Sequence, residues 1–545
     1  MTAPDHPIAI DYVSPLPPVR SGISDYSVDL FPELSERCDL RLVRLPGQDV
    51  SDAVRDRWPV VEAERLGEDG RLPLYHMGNN RHHSAVWDMA MARPGILVLH
   101  DLVLHHFLIE RTVKPGLLDD YTAALTDAHG WVGERVGKPV RRAGAIGDAA
   151  QFALPAHRAL LLRQKGILTH SAHAEGFLAE EIPELRVRSL AMGMPLPDAA
   201  GDAAGDAAGE DFKRRYGLPS GVPILGSFGF QTPIKRTEVV VRALAQPGLE
   251  SAHLMVAGEV SPVLRLEEIA QELGVQDRVH VLGFLPFEDF EAGIAAADLA
   301  LNLRYPTAGE TSASLLRILA VGRPVLVSDY AQSADLPDSV VVKAPLGDDE
   351  PRRLAERVAD LLRDPGTLRD MGRRARLYVE ENHRLDRAAQ SMVEACRDWA
   401  DLAPPNAVSE PCPAPTSLIW DRFHGELEVL GAEAPWAPGE RRELTVRLAN
   451  RSAAVWLAGE RPEGGIALQV RWTAEDGSVP EDLDAAPLDR SWVGLPFDLP
   501  PGGEHTFRLK LRRPLRSPLR LEIVPHSFGL SSLPQLEGPS WIQSL

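Results

Sequence analysis

Cysteine is scarce in this chain: 545 residues carry three, Cys38, Cys396 and Cys412. They are scattered, odd in number, and show neither CxxC nor Cys/His spacing. Neither a disulfide framework nor a zinc site is therefore supported, and a reducing, cytoplasmic compartment fits best. Long apolar runs are also missing. No stretch reaches the roughly eighteen apolar residues of a membrane span, and the start MTAPDHPIAIDYV has no basic n-region or long apolar h-region, so neither a span nor a secretion signal is expected. Peripheral contact with the inner face of a membrane stays open. Basic charge is in deficit: 58 Lys and Arg against 78 Asp and Glu give a net charge of −20. That balance speaks against nucleic acid as a partner, which would need a basic stripe. An anionic ligand has to be met by a few well-placed groups.

What is present is a repeated grammar of short apolar runs, turns and helical patterns, on a chain long enough for about three domains. Ile8–Val13 reads as a strand, followed by a Pro-rich loop to Ser21-Gly22 and a helix over Ser24–Leu34. Leu72–His76 and Gly95–Leu99 are further strands, ending at GNNRHH and at His100-Asp101, and Lys165–Thr169 ends at His170-Ser171. Residues 1–197 make one Rossmann-like α/β domain. DAAG then occurs three times over Asp198–Gly209, which reads as a flexible linker over residues 198–211. The grammar restarts in a second Rossmann-like domain, residues 212–402, with strands at Pro223–Gly229, Leu254–Ala257, Val279–Leu282, Asp298–Leu303 and Val325–Ser328. Its closing helices are Arg352–Arg363, Gly366–Glu381 and Arg384–Leu402, the last a candidate to pack back on the first domain. A Pro-rich linker covers 403–417.

From 418 to 545 the period changes to two. Leu444, Val446 and Leu448 alternate with polar residues, as do Ile466, Leu468, Val470 and Trp472, then Phe507, Leu509 and Leu511, then Leu519, Leu521 and Ile523. Such patterning with PGE, EDGS and PPGGE turns predicts an antiparallel β-sandwich. Its Trp420, Trp436, Trp456, Trp472, Trp492 and Trp541 serve either as sugar-stacking faces or as core, and core is the expectation for most.

The stretch Asn302–Pro324, NLRYPTAGETSASLLRILAVGRP, concentrates candidate chemistry. A small-residue turn delivers the start of a helix over Thr311–Val321, where free N–H groups and the hydroxyls of Thr311, Ser312 and Ser314 can seat an anion, or simply cap the helix. Lys235 and Arg236 flank another helix start and can pair with a diphosphate, Lys as a point charge and Arg as a fork. Gly22, beside Arg20, lets backbone approach a ligand. In an open parallel sheet the carboxyl ends of strands face the ligand crevice, which nominates Asn79, Asn80, His100 and Asp101. His100-Asp101 suits hydrogen bonding or acid–base work. His82, His83, His105 and His106 lack the HExxH arrangement, so no metal site is expected.

Two consecutive α/β halves with these motifs in this order resemble the family 4 retaining glycosyltransferases of the GT-B fold. The resemblance covers Ile8 to about Leu402 and rests on PPVRSGISDYS, on YHMGNNRHH with PGILVLHDLVLHH, on GSFGFQTPIKRTEVVVRAL, and on NLRYPTAGETSASLLRILAVGRPVLVSD. It implies transfer of a sugar from a nucleotide-diphosphate donor to a glycan, glycolipid or polysaccharide acceptor, with retention of configuration, no metal and no cofactor. By the same resemblance Lys235 and Arg236 hold the diphosphate, Thr311 and Ser312 contact phosphate, and Gly22 faces it. Glu310 approaches the donor sugar and His100 lies near it, with Asn79, Asn80 and Asp101 as acceptor or sugar contacts. The sandwich is similar to immunoglobulin-like accessory domains.

Three positions depart from the family. Its signature has two Glu with seven residues between them, yet Glu310 plus eight is Ile318, and Arg317 precedes ILAVG. Phe230 stands after Gly229 where many members have Arg, which shifts phosphate contact toward Lys235, Arg236 or Arg304. The alternative is therefore a catalytically silent protein that binds nucleotide sugars or glycans.

Overall fold

In the computed structural model the described residues are 7–143, 151–152, 154–197, 202–344, 346, 349–405, 425–432, 436–451, 455–459, 465–473, 492–500, 502–515, 520–527 and 541–544. The chain divides into two compact units: Met1–Lys114 with His157–Val408, and Pro115–Ala156 with Ser409–Leu545.

The first unit holds two parallel sheets. One is built from β1 (Ala9–Val13), β2 (Asp39–Arg44), β3 (Val60–Glu62), β4 (Leu72–Met77), β5 (Ile96–Leu99), β6 (Gly166–Thr169) and β7 (Val187–Ser189), in the order β3-β2-β1-β4-β5-β6-β7. The other comprises β8 (Ile224–Phe228), β9 (His253–Ala257), β10 (Val279–Gly283), β11 (Leu299–Asn302), β12 (Val325–Ser328) and β13 (Val342–Ala344), in the order β10-β9-β8-β11-β12-β13. Both orders reverse after the first strand of their half. A ligand crevice is expected outside the carboxyl ends at that reversal, between β1 and β4 and between β8 and β11.

The strands are near-continuous apolar runs because helices cover both faces. β5 and β12 are buried along their whole length. β2 is the exception that a hydropathy pattern does not flag. Its Arg41 lies in the interior, where its guanidinium grips Asp11 of β1 through two bonds of 2.8 and 2.9 Å. Arg71 adds a third at 2.9 Å and the Gly67 N–H a fourth at 2.6 Å. A fully buried carboxylate is tolerable only when its lone pairs are met in this way.

A helix runs over Asp202–Tyr216, so the DAAG tract is ordered from residue 202, in contrast to the flexible linker expected for 198–211. The reason is local and tertiary together. Alanine is the strongest helix former, and Gly209 lets this helix approach Ala295 of the helix Phe287–Ala296 so closely that a Cβ would meet the Ala295 carbonyl oxygen at 2.7 Å. Phe212 is fully buried there and stacks on Tyr216, ring centroids 4.4 Å apart. The last helix, Leu385–Trp399, lies against the first sheet. A Cβ on Gly166 would strike the Trp399 ring at 2.1 Å, and His383 Nδ1 donates to the Met192 carbonyl at 2.9 Å.

In the second unit β14 (Gly425–Leu430), β15 (Arg441–Asn450) and β18 (Glu504–Arg512) form one antiparallel sheet, and β16 (Ile466–Thr473), β17 (Trp492–Gly494), β19 (Arg520–Ser527) and β20 (Trp541–Ser544) another. The alternating residues face inward as a sandwich core: Val446 pairs with Val429 and Phe507, and Val470 with Ile523. Trp436, Trp456 and Trp472 belong to that core, whereas Trp492 is partly exposed. Residues 198–201 of the DAAG tract, residues 406–417 of the Pro-rich linker with its Cys412, and Trp420 and Leu519 lie outside the described residues. Among the described residues no helix is long and apolar enough to cross a membrane.

Candidate functional site

Three histidines close the carboxyl ends of three adjacent strands in the first half: His76 within β4, His100 just past β5 and His170 just past β6. All are buried. His76 Nδ1 lies 2.9 Å from His100 Nε2, and the His100 and His170 rings pack with centroids 4.9 Å apart. Tyr26 sets its ring edge-on against both, at 5.8 Å from each. Loss of water is the main reason these imidazoles resist protonation: His170 is pulled down to about 4, and His76 and His100 well below the usual range. His100 is therefore neutral at physiological pH. It can hydrogen-bond a ligand, but the expected acid–base exchange near neutrality does not fit its surroundings. The sequence marks His76 and His170 by their strand-end positions, although their partnership with His100 depends on the sheet order.

Tyr26 stands one turn into the helix Gly22–Ser35, which starts two residues earlier than expected, with Ser21 as its N-cap. A Cβ on Gly22 would meet nothing within 4 Å, so the space before this helix start is open. Asp101 follows His100 and accepts the Asn79 N–H at 2.8 Å. Burial, then repulsion from Glu310, raises its carboxyl to about 7, against the opposing pull of Arg304. Asn79 itself accepts from the Phe107 N–H at 2.7 Å, and Asn80 caps the turn Arg81–His83 by accepting from the His82 N–H at 3.0 Å and from His83. Both asparagine side chains thus hold loops around Asp101.

The second half supplies cations. After β8, Gly229 adopts φ 80°, and the Lys235 ammonium folds back to donate to the Phe228 carbonyl. A Cβ on Gly229 would lie 3.0 Å from that ammonium. Burial, then the nearby Arg304 guanidinium, lowers Lys235 to about 7, while Glu310 works the other way. Arg304 pairs with Glu310 and donates to Ser312 Oγ at 3.0 Å. Its Nε is buried without a partner among the described residues. Glu310 also accepts from Thr307 Oγ1 at 2.9 Å and from the Ala308 N–H at 3.1 Å. Ser312 caps the helix Ala313–Val321 by accepting from the Leu315 N–H at 3.2 Å. Gly322, at φ 83°, ends that helix in the left-handed conformation glycine favours.

The edges of the two halves meet. The Val103 N–H donates to the Ala308 carbonyl at 2.9 Å, and Thr311 Oγ1 to the His170 carbonyl at 3.1 Å. A Cβ on Gly309 would lie 2.5 Å from Leu102. Arg20 sits over the exposed Phe284 ring at 5.8 Å. Arg317 faces the first helix, where its charge opposes the rise that burial imposes on Asp25 and Asp29. Ile318, at the register of the family's second Glu, is fully buried. Lys235, Arg304, Glu310, Ser312, Thr311, Asp101 and His100 are thus drawn to one junction. Arg236 is not. It is committed to Glu350 through a bidentate ion pair and lies over the Tyr305 ring. Phe230 is exposed. Arg304 is the cation that motif spacing alone does not single out for the position beside Glu310.

Comparison with known proteins bears on both halves. Residues 209–378 match the family model described as Glycosyl transferases group 1. D-inositol 3-phosphate glycosyltransferase of Nocardia farcinica is 32% identical over 168 residues, 29% of this chain; the match spans 37% of that relative's length. Among solved structures, Anabaena HepE in complex with UDP superposes with a TM-score of 0.51 at 13% identity, covering 72% of this chain and 100% of HepE. A glycosyltransferase from Rickettsia africae gives 0.50 at 12% identity, covering 72% and 99%. At such identities the likeness concerns architecture: the first unit has the two-Rossmann GT-B fold, and it is residues 209–378 in its second half that are similar to the group 1 glycosyl transferases.

Proposed function

We propose that the protein is a retaining glycosyltransferase that moves a sugar from a nucleotide-diphosphate donor to a glycan, glycolipid or polysaccharide acceptor, without a metal. The observation that carries this reading is the meeting of Lys235, Arg304, Glu310 and the Ser312-capped helix start, at the reversal between β8 and β11, with His100 and Asp101 at the carboxyl end of β5. A departing nucleoside diphosphate gains negative charge in the transition state. Cations and N–H donors already fixed at that place stabilise the charge without reorganising. Lys235 is the point charge for the diphosphate, and Arg304 takes the part expected of Arg236, which Glu350 holds. Donor entry requires the Arg304–Glu310 pair to open or share its bonds, which frees Glu310 to contact the sugar. Gly22 leaves room for the phosphate on the first half's side, and the acceptor enters past Asp101. Attack on the face the diphosphate leaves gives retention.

The sandwich, similar to immunoglobulin-like accessory domains, is assigned to holding the acceptor and raising its effective concentration at the site. The protein works in the cytoplasm, with peripheral contact at the inner membrane face when the acceptor is lipid-linked. The test is a panel of sugar nucleotides scored for release of nucleoside diphosphate with candidate acceptors present. HepE was solved with UDP and with UDP-glucose, so uridine nucleotides head the panel. Product with the donor's anomeric configuration supports the reading, and inversion refutes retention. Binding without turnover for every donor hands the site to the alternative, a silent nucleotide-sugar-binding protein.

A further inference from the structure

We propose that His76 is a positioning residue that fixes the tautomer of His100, so that His100 carries its proton on Nδ1 and can offer it as a hydrogen-bond donor. Its use in catalysis rests on the transferase reading, but the tautomer itself can be read without any substrate.

Two ring nitrogens 2.9 Å apart, His76 Nδ1 and His100 Nε2, share one proton: one nitrogen donates and the other accepts. The choice is made by the far side of His76. That side chain is fully buried, its ring lies against Tyr12 with centroids 4.4 Å apart at 30°, and its Nε2 has no partner among the described residues. If Nε2 carried the proton, a buried N–H would be left with nothing to donate to. If Nδ1 carries it, the orphan is a lone pair. Orphaned N–H groups are the rarer of the two in folded proteins, so the proton belongs on Nδ1, which donates to His100 Nε2. His100 then keeps its own proton on Nδ1.

The neighbours agree with that assignment. His170 Nδ1 lies 3.3 Å from the Leu190 carbonyl, which can only accept, so His170 also carries its proton on Nδ1, and its Nε2 is a buried lone pair. The titratable groups packed around the pair are Tyr12, Tyr26, His83 and His170, and Asp101, next in sequence to His100, accepts from the Asn79 N–H. A fixed N–H beside the donor-sugar site differs chemically from a freely exchanging imidazole: it selects an oxygen acceptor, such as a hydroxyl, and rejects a group that can only donate.

The test uses the full chain labelled with ¹⁵N-histidine, whose two-bond ¹⁵N–¹H correlation patterns distinguish Nδ1–H from Nε2–H. Signals are assigned with His100→Asn and His76→Leu. Wild type should show His100 as Nδ1–H. His76→Leu should release it into a mixture, whereas His76→Asn, whose amide nitrogen replaces Nδ1 as donor, should restore it. With an active donor, His76→Leu should lower kcat/KM about tenfold and His76→Asn should stay within about threefold of wild type, the range of one hydrogen bond. His100 protonated on Nε2 in wild type, or a His100 tautomer indifferent to His76→Leu, overturns the proposal. Should His76→Leu fail to fold, the wild-type and His76→Asn spectra still decide it. A correct tautomer in a protein that turns over no donor counts against the transferase reading alone.

Discussion

The charge on Lys235 offers the sharpest quantitative handle on the site. Burial beside Arg304 brings its ammonium to about 7, so by the ordinary titration curve about nine in ten molecules hold it neutral at pH 8. A bound diphosphate places negative charge at that nitrogen and returns it toward the usual lysine range. The protonated form is thus the one that binds: affinity is full below pH 7 and falls as pH rises through the free-state value. Uptake on binding should be about 0.1 proton at pH 6 and about 0.9 at pH 8, and affinity should fall about tenfold, about 1.4 kcal/mol, across that interval. A sugar nucleotide is the right probe, since its doubly esterified diphosphate does not itself titrate there. Calorimetry in two buffers of different ionisation enthalpy reads the uptake directly. Asp101, raised to about 7, lies near enough to add uptake of the same sign. Lys235→Arg separates the two, because a guanidinium keeps its charge and only the Asp101 part would survive. Tight binding at pH 8 without proton uptake, or uptake unchanged in Lys235→Arg, refutes the placement of Lys235 against the diphosphate.

Other consequences follow from burial and space. His83 and His170 are held down to about 3 and about 4, so each favours the fold above pH 6.5 and loses that contribution as pH falls toward its folded value. At pH 5 the loss is about 2 kcal/mol for each. Asp101, Asp25 and Asp29, all raised, act in the opposite direction, so the cleanest measurement is the pH dependence of Tm for His170→Asn against wild type, which should be flatter in acid. Gly22→Leu should leave Tm nearly unchanged, within about 0.5 kcal/mol, because its Cβ meets nothing. Donor Kd should rise about tenfold or more as the side chain fills the space before the helix. Gly309→Ala combines a φ of 74° with a Cβ 2.5 Å from Leu102, so calorimetry should show a loss of about 2 kcal/mol.

Much of the architecture is legible in the sequence because parallel strands buried on both faces are written as apolar runs ending at small or polar residues. β1, β4, β5, β6, β8 and β12 are found that way to within a residue or so. β2 and β3 are harder to see. Arg41 interrupts β2, and the reason it can be buried, Asp11 on the neighbouring strand, exists only after folding. Likewise the DAAG tract has no apolar face of its own, and its helix depends on Gly209 nesting against Ala295. In the site, Lys235, Glu310 and the Ser312 cap follow from local motifs. Two facts do not: that Glu350, 114 residues away, holds Arg236, and that Arg304 takes the position beside Glu310. His76 shows the same division. Its strand-end position is visible in the sequence, but its bond to His100 follows from β4 lying beside β5.

The most direct test of the central claim is turnover of the sugar-nucleotide panel by wild type, Lys235→Ala and Glu310→Ala under one set of conditions. The account predicts that wild type releases nucleoside diphosphate from at least one donor. Lys235→Ala should raise the donor Kd by about tenfold or more, the size of a lost charge-assisted contact. Glu310→Ala should leave binding within about threefold while kcat falls about a hundredfold or more, as for a group that acts mainly in the transition state. Turnover by both variants at the wild-type rate would contradict the assigned site, and no turnover of any donor by wild type would contradict the transferase itself.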